Sequence, residues 1–356
     1  MSRTKLNVLL ILDSLGFGGN ETAAYQLLSN IDRSIFKCFV LALNTDSKLL
    51  VDKLKKYDVE IISFSQTNIL SLPFIIKYFL LIRNNRIYSV ISYTYNYKII
   101  FLQFISIILG VKNRIVRVSA MPLKFSFIKL FIIQFLSNLF LTNQIAVSNS
   151  VKDWLVQIGG YYKRRIIVIN NGIEISFVKS NAKIIKDSVV MVSRMDESKD
   201  HRTLIRAMAI VQKHFPEVYL NLIGDGLRRN ELSLLARELN CKTNFLGYLN
   251  NVYEVLPSFS IFVHSSFSEG FPNVILEAMV AKLPIIASDI PPNREILNNG
   301  EFGILFHVED HILLSELIMN LLINKTEREA YSALSHIRVK NYSLEEMISQ
   351  YQSILK

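Results

Sequence analysis

Two glutamates stand eight residues apart in the segment 265–279, with Gly270-Phe271-Pro272-Asn273 between them: Glu269 and Glu277. A helix beginning at Pro272 would turn its free backbone N–H groups and positive dipole end toward the preceding loop, where an anion such as a phosphate is favoured. Two cations upstream, Arg194 and Lys199, can hold a diphosphate as fixed positive charges. Three more places bring glycine to a turn: Gly18 and Gly19 within 16–21, Gly224 and Gly226 around Asp225, and Gly247. Glycine lets a backbone approach a phosphate closely, but 16–21 is not a clean GxGxxG, so it carries no dinucleotide fingerprint. Without any chemistry, the same residues make a strand, a turn, an amphipathic helix with two solvated glutamates, and a pair of surface cations.

The elements that must position these residues alternate in type. Nearly continuous apolar runs predict strands at 6–12, 38–43, 59–64, 89–93, 115–119, 144–148 and 165–170. A second series follows at 188–193, 219–223, 244–246, 260–264, 284–287 and 303–306. Helical spacing fills the intervals, including 22–28, 151–158, 201–213, 231–239, 310–322, 327–338 and 343–355. Ser148 or Asn149 can cap the helix at 151, and Gly159-Gly160 can end it. From Pro272 the apolar face Val274, Ile275, Ala278, Met279 is helical and places Glu277 about two turns in. This is the βαβ rhythm of parallel sheets covered on both faces. Every loop singled out above follows the carboxyl end of a strand, where such sheets bind ligands. The domains expected are 1–172, a linker at 173–187 around the basic stretch 182–186, 188–342, and a C-terminal helix at 343–356 packing back on the first domain.

Length and charge bound the rest. The 356 residues exceed one ordinary core and suit two α/β domains. The net charge of +10 is uneven: residues 1–178 carry +12 and residues 179–356 carry −2. No acidic residue occurs from Ile61 to Lys152, while ten basic ones do, among many Phe, Ile, Leu and Tyr. That mixture suits an anionic membrane surface; no nucleic-acid motif accompanies it, and a solvated basic face is the plain alternative. The apolar runs at 99–109 and 125–141 fall short of ~20 clean apolar residues, so no transmembrane span is expected. Residues 6–12 read as a first strand, not a signal peptide, because Asp13 and a glycine turn follow at once. Two distant cysteines, Cys38 and Cys241, imply neither a metal site nor a disulfide framework, which suits a reducing cytosol.

With these segments on the page, residues 146–306 resemble the retaining glycosyltransferases of family 4. The carriers are the E-x7-E element EGFPNVILE (269–277), SRMDESKDHRTLIRAM (193–208), GDGLRRNEL (224–232), NFLGY (244–248), PIIASDIPPNREIL (284–297) and GILF (303–306). AVSNSVKDWL (146–155) and IIVINNGIE (166–174) are similar to the family's inter-domain region, while before Ala146 the likeness rests mostly on FGGNE (17–21). The resemblance implies a GT-B fold: α/β, with two facing Rossmann-like domains and a deep cleft between them. It implies transfer of a sugar from a nucleotide-diphosphate sugar to a lipid-linked or growing glycan acceptor, in cell-surface polysaccharide biosynthesis. Arg194 and Lys199 would bind the diphosphate and steady the leaving charge. Glu269 would face the donor sugar, with Gly270, Phe271, Pro272 and Asn273 shaping the sugar and phosphate pocket. Glu277 would accept from the ribose. Gly18 and Gly19 would close over the diphosphate, and the base would lie near Gly224, Gly226 and Gly247. No metal and no cofactor beyond the donor is implied. Retention would follow from attack on the face that the diphosphate leaves, with double displacement as the older alternative.

The sequence also departs from that pattern. Where many members carry a histidine after a late strand of the first domain, this chain reads Arg117-Val118-Ser119-Ala120. Ser119 can bond a sugar hydroxyl but cannot supply an imidazole's charge, which leaves the sugar open. Lys282 stands where glycine is usual after the helix. His264, at a strand end, is a core or a cleft residue, and His201 reads as structural. A nucleotide-sugar epimerase of the same fold would need further acid/base groups near the sugar, and a non-catalytic partner would not need Arg194, Lys199, Glu269 and Glu277 together. The expected location is cytoplasmic, peripheral on the inner face of the membrane, with the basic first domain as the contact and no nucleic acid bound.

Overall fold

A computed structural model describes residues 5–16, 18–44, 49–64, 68–120, 127–159, 163–175, 187–249 and 252–356. The chain divides into two compact units, one of residues 1–172 with 344–356 and one of residues 173–343.

The first unit is built on a seven-stranded, all-parallel sheet. Its strands are β1 (Leu6–Leu12), β2 (Phe36–Ala42), β3 (Val59–Ser63), β4 (Ser89–Ser92), β5 (Asn113–Val118), β6 (Asn143–Ala146) and β7 (Ile166–Val168), in the order β3-β2-β1-β4-β5-β6-β7. β1 runs in register with β2 from Leu6↔Phe36 to Leu12↔Ala42. Its last five residues are all buried because both sheet faces are covered, and this is why the strand reads as an unbroken apolar run. One face, with Val8, Leu10 and Leu12, packs on Ala23, Ala24, Leu27 and Leu28 of helix Gly19–Asn30 and on Met347, Ile348 and Tyr351 of helix Leu344–Leu355. Helices Leu72–Asn84, Tyr97–Ile108, Phe127–Phe140 and Asn149–Gly159 link β3 through β7 by crossovers of one hand and so share the opposite face. Tyr78 and Ser106 join the first two of these by a 2.8 Å hydroxyl contact, and the rings of Phe104 and Phe140 meet at 5.0 Å between the next two.

The second unit holds a six-stranded parallel sheet: β8 (Ser188–Val192), β9 (Tyr219–Ile223), β10 (Thr243–Gly247), β11 (Ile261–His264), β12 (Ile285–Ser288) and β13 (Ile304–Phe306), ordered β10-β9-β8-β11-β12-β13. The strand order reverses at β8, which pairs with both β9 and β11. Its core joins Val189 and Met191 to Leu204, Met208 and Val211 of helix His201–His214 and to Leu314, Ile318 and Leu321 of helix His311–Ile323.

The expected α/β fold of two Rossmann-like domains is therefore present. Several details differ from the sequence reading. The helix after β1 starts at Gly19, not Thr22, because helical backbone begins on the glycine itself. Helix Asn273–Val280 is short, so Glu277 lies just over one turn in, not two. A helix at Pro291–Ile296, begun by two prolines at its first positions, was not expected. Ser148 is the cap of helix Asn149–Gly159, its Oγ accepting from Val151 N at 3.2 Å; Gly160 lies outside the described residues. The basic stretch 182–186 also lies outside them, while Ile173 and Asp187, at the ends of the expected linker, fall in the second unit. Among the described residues no helix is long and apolar enough to cross a membrane.

Candidate active site

The centre of the second unit is where β8 and β11, neighbours in the sheet, release their following loops. The two loops are laced together: Asp200 N donates to Ser265 O at 3.0 Å, Phe267 N to Ser198 O at 2.9 Å, and Lys199 pairs with Ser266 as an antiparallel bridge. This lacing carries Lys199 and Glu269, 70 positions apart, into one ion pair, with each side chain 12% exposed. Two further donors reach the same carboxylate oxygen, Oε1: His264 Nε2 at 3.0 Å and Ser266 Oγ at 3.0 Å. Burial alone would raise the Glu269 pKa, but the hydrogen bond from His264 and the Lys199 charge outweigh it and hold the carboxyl at about 2. Glu269 is thus an anion with Oε2 left to accept from a ligand. His264 is fully buried, and burial lowers its pKa against the pull of Glu269. A neutral ring donates from Nε2, and Nδ1 has no partner.

Arg194 lies on the same β8 loop but in a different setting. Its side chain is mostly exposed and reaches Asp196 at 3.1 Å. Asp196 is kept below the ordinary carboxyl range: burial would raise it, and the Ser198 hydroxyl and amide, with Arg194 and Lys199, outweigh that. The two expected cations therefore each meet a carboxylate, one buried and one in solvent. The next helix, His201–His214, has its N-terminus capped by Asp200, whose Oδ1 accepts from Thr203 N at 3.2 Å. His201 bonds Ser193 Oγ at 2.9 Å, and burial followed by the Lys199 charge lowers it to about 4, which fits a structural role.

Glycine at 224 and 226 has a reason inside the protein. Gly224 has φ +124°, and a Cβ there would come within 2.0 Å of the Ser193 carbonyl oxygen. A Cβ on Gly226 would meet Met195 O at 2.5 Å. The β9 loop passes directly under the Arg194 loop, with Met195 N donating to Asp225 O at 2.9 Å and Gly224 N to Gly247 O at 2.7 Å. Gly247 itself has φ +71°, the left-handed region. These three glycines hold up the backbone that presents Arg194.

After β11, Gly270, Phe271 and Pro272 are buried, and the Phe271 ring stands edge-on to Tyr342 at 5.6 Å. Asn273 opens the helix, and Pro272 at the cap position before it makes no side-chain cap. Glu277 is pushed up to about 7 by burial, against the lowering effect of a hydrogen bond from Tyr253. The two glutamates thus have separate partners and opposite shifts, and they are not arranged as an acid/base pair.

In the first unit, Gly18 precedes the helix in extended conformation and Gly19 is its first residue, both exposed. A Cβ on Gly19 would meet nothing within 4 Å. Ser119 follows β5 and lines a cavity of about 260 Å³ with Asp13, Asn20, Glu21, Tyr93 and Arg117. Arg117 is 1% exposed. Its guanidinium donates to the side-chain oxygens of Asn20 and Asn171 and lies 5.4 Å from the centre of the Tyr93 ring. Among the described residues no carboxylate pairs with it, and its Nε has no partner.

The structure brings Lys199, Glu269 and the β11 loop together, keeps Arg194 beside them on the β8 loop, and sets Gly18, Gly19 and Ser119 in the first unit. Sequence reasoning left His264 undecided and passed over Asn20 and Tyr253. Arg117 carried a readable signal, a single charge inside the apolar strand Ile-Val-Arg-Val. Among the described residues no group of three or more His, Cys, Asp or Glu is placed to hold a metal ion.

The chain is similar to known glycosyltransferases in sequence and in fold. Residues 173–335 match the family model for glycosyl transferases group 1. Over 352 residues the chain is 26% identical to the N-acetylgalactosamine-N,N'-diacetylbacillosaminyl-diphospho-undecaprenol 4-alpha-N-acetylgalactosaminyltransferase of Campylobacter jejuni, covering 94% of both chains. It is 28% identical to the phosphatidyl-myo-inositol mannosyltransferase of Mycobacterium leprae over 59% of this chain and 58% of that one. Among solved structures, Anabaena HepE in complex with UDP and glucose superposes with a TM-score of 0.85 at 21% identity, covering 98% of this chain and 99% of that one. TarM superposes with a TM-score of 0.78 at 11% identity, covering 99% of each chain.

Proposed function

From the premise that this chain is a glycosyltransferase of the GT-B fold with a group 1 domain at residues 173–335, we propose that it transfers a sugar from a nucleotide-diphosphate sugar to a lipid-linked or growing glycan acceptor, with retention and without a bound metal, in cell-surface polysaccharide assembly. The observation that carries this reading is Glu269: a buried carboxylate kept anionic by Lys199 and His264, with one oxygen available, at the carboxyl end of β11. Such a group recognises sugar hydroxyls as an acceptor of hydrogen bonds. It is too acidic to act as a proton donor near neutrality.

In the proposed cycle the donor diphosphate takes Arg194 and shares Lys199, and the start of helix Asn273–Val280 adds its dipole. Charge that a divalent cation would otherwise offset is met by these side chains. The acceptor oxygen forms its bond to the anomeric carbon on the face from which the diphosphate departs. The carbon–oxygen bond to the β-phosphate breaks, and the acceptor's proton passes to a phosphate oxygen. Glu277, in its carboxylate form, accepts from the ribose. UDP-sugars are the first donors to test, since Anabaena HepE is described with UDP. Ser119 and its cavity are proposed to contact a sugar hydroxyl. A lipid-linked acceptor, as named for the Campylobacter jejuni relative, implies work at a membrane surface, on its cytoplasmic face and through the basic first unit.

The test is incubation with a panel of sugar nucleotides, reading slow donor hydrolysis and then transfer. Glu269→Gln is expected to lower transfer by about 100-fold or more while nucleotide affinity changes by less than about threefold. Unchanged transfer in Glu269→Gln would remove the site assignment. Interconversion of one sugar nucleotide into another without an acceptor would favour the epimerase.

A further inference from the structure

Three neighbouring helices of the first unit are apolar on both faces. Helix Phe127–Phe140 buries Leu130 and Ile133 together with Gln134 and Ser137, while Phe131, Ile132 and Phe135 stand about half exposed, with Ile128 and Leu139 exposed further. Ser137 Oγ donates to Ile133 O at 2.7 Å, and the Tyr95 hydroxyl donates to the Gln134 side-chain oxygen. Its neighbour, helix Tyr97–Ile108, repeats the pattern. It buries Ile99, Ile100, Leu102 and Ile105 with Gln103 and Ser106, and presents Tyr97, Phe101, Phe104 and Ile108 outward. The third helix in the row, Leu72–Asn84, presents Leu72, Ile76 and Leu80, at spacing i, i+4, i+8. More than half of the exposed large apolar side chains among the described residues fall between Leu70 and Leu139. Single exposed leucines are ordinary; three contiguous apolar stripes on adjacent helices are an interaction surface.

We propose that this three-helix face inserts into an anionic lipid bilayer, the helices lying in the plane of the interface with their aromatic and aliphatic side chains at the acyl boundary. The occupant follows from the charge. The segment from Ile61 to Lys152 has ten basic and no acidic residues, and Lys77, Arg83 and Lys129 are exposed on the same helices. A second copy of this chain would bring the same charge to the same face with no carboxylate to meet it. Anionic headgroups supply that complement while the acyl region takes the apolar stripes. The longest of the three helices has 14 residues. At ~1.5 Å per residue it spans about 21 Å, short of the ~30 Å hydrocarbon core, so it lies on the membrane and does not cross it. This deepens the proposed function, because the purpose of the face rests on a lipid-linked acceptor. It also alters what holds the protein there: apolar insertion is the main contribution, and charge steers the approach.

The test is flotation of the full chain with phosphatidylcholine vesicles containing phosphatidylglycerol, at about 0.15 M and about 0.5 M NaCl, where screening shortens the reach of charge to a few ångströms. Wild type is expected to float at both salt levels. Phe131→Ser/Phe135→Ser is expected to lose about tenfold or more of its partitioning at both, since apolar burial is insensitive to screening. Lys77→Glu/Lys129→Glu is expected to weaken binding mainly at low salt. Binding of a UDP-sugar by each variant reads the catalytic assignment separately, so loss of flotation with intact nucleotide binding bears on this face alone. If the serine pair lowers the melting temperature or nucleotide affinity, Ile128→Ser/Leu139→Ser replaces it. Complete release of wild type at high salt, or serine variants that float like wild type, would overturn insertion. So would a wild-type dimer that the serine pair converts to monomer with no vesicle binding by either.

Discussion

Lys199 and Glu269 are bound to each other, both nearly buried, on loops that leave two adjacent parallel strands. Glu269 is the hub, because His264 and Ser266 converge on the same oxygen. Removing two charges from water costs several kcal/mol per ion, and the pair persists because hydrogen bonds satisfy it on more than one side. A structural ion pair alone would gain little here over two apolar residues. Its position at the carboxyl ends of β8 and β11 is the better reason for having it there.

Breaking that pair from either side should therefore be costly, and removing both members should not. Lys199→Met is expected to lower unfolding free energy by about 3 kcal/mol, by leaving Glu269 buried without its cation. The double variant Lys199→Met/Glu269→Leu should cost clearly less than the sum of the single changes. Acid titration checks the same group. Its folded pKa of about 2 lies below the ordinary 4.5, so its contribution is present above pH 4.5 and is lost as pH falls through about 2. Urea titrations of all variants between those limits measure it, and strict additivity of the two substitutions would mean the residues are not coupled.

Glu277 should behave in the opposite way. Its folded pKa of about 7 lies above the ordinary 4.5, so the stability linked to its neutral form is complete below pH 4.5 and lost as pH rises through about 7. Glu277→Gln should flatten that limb and gain about 2 kcal/mol relative to wild type at pH 8. If the carboxylate is what holds the ribose, affinity for a UDP-sugar should rise about tenfold between pH 6 and pH 8 in wild type and stay level in Glu277→Gln. Calorimetry at the two pH values reads this; a pH-independent wild-type affinity would take the ribose role away from Glu277.

The glycines divide by what surrounds them. Gly224→Ala is expected to destabilise by about 3 kcal/mol or more, since its φ is +124° and the new Cβ would overlap Ser193 O. Gly19→Ala meets open space at the first turn of a helix and should leave the melting temperature within about 2 °C of wild type. Thermal melts of the two variants side by side decide this. Equal melting temperatures would mean the Gly224 backbone does not pass against Ser193 as described.

Arg117 organises the first unit through two amide oxygens. Arg117→Lys keeps the charge but cannot reach both Asn20 and Asn171 from one ammonium, and should cost about 2 kcal/mol. The effect should appear as faster hydrogen exchange in the first turn of helix Gly19–Asn30, where Asn20 also donates to Tyr93 O at 2.9 Å. Unchanged exchange there would mean the guanidinium does not hold that turn.

Much of the fold was legible in local pattern. Strand β1 was bounded correctly because a parallel strand covered on both faces is a short, nearly unbroken apolar run. Helix ends were less legible. Gly19 read as a turn residue and opens a helix, while Pro272 read as a helix start and stands one position before it, at the N-cap. The helices with apolar outer faces were visible only as apolar runs too short to span a membrane, since a helix that is apolar all round gives no period from which to tell its inner face from its outer one.

The sequence by itself determined the alternation of elements, the two sheets' worth of strands, the placement of Arg194, Lys199 and Glu269 in loops after strands, and that of Glu277 in the helix that follows, because these follow from local apolar period and from turn residues. Only the tertiary structure decided what each charge meets. Lys199 finds Glu269 because β8 and β11 are neighbours in the sheet although 70 positions separate the two side chains. Glu269 and Glu277 lie eight positions apart, yet one is held near pKa 2 and the other near 7. Ionisation is set by what is within a few ångströms and by how much water remains there, and sequence spacing carries neither.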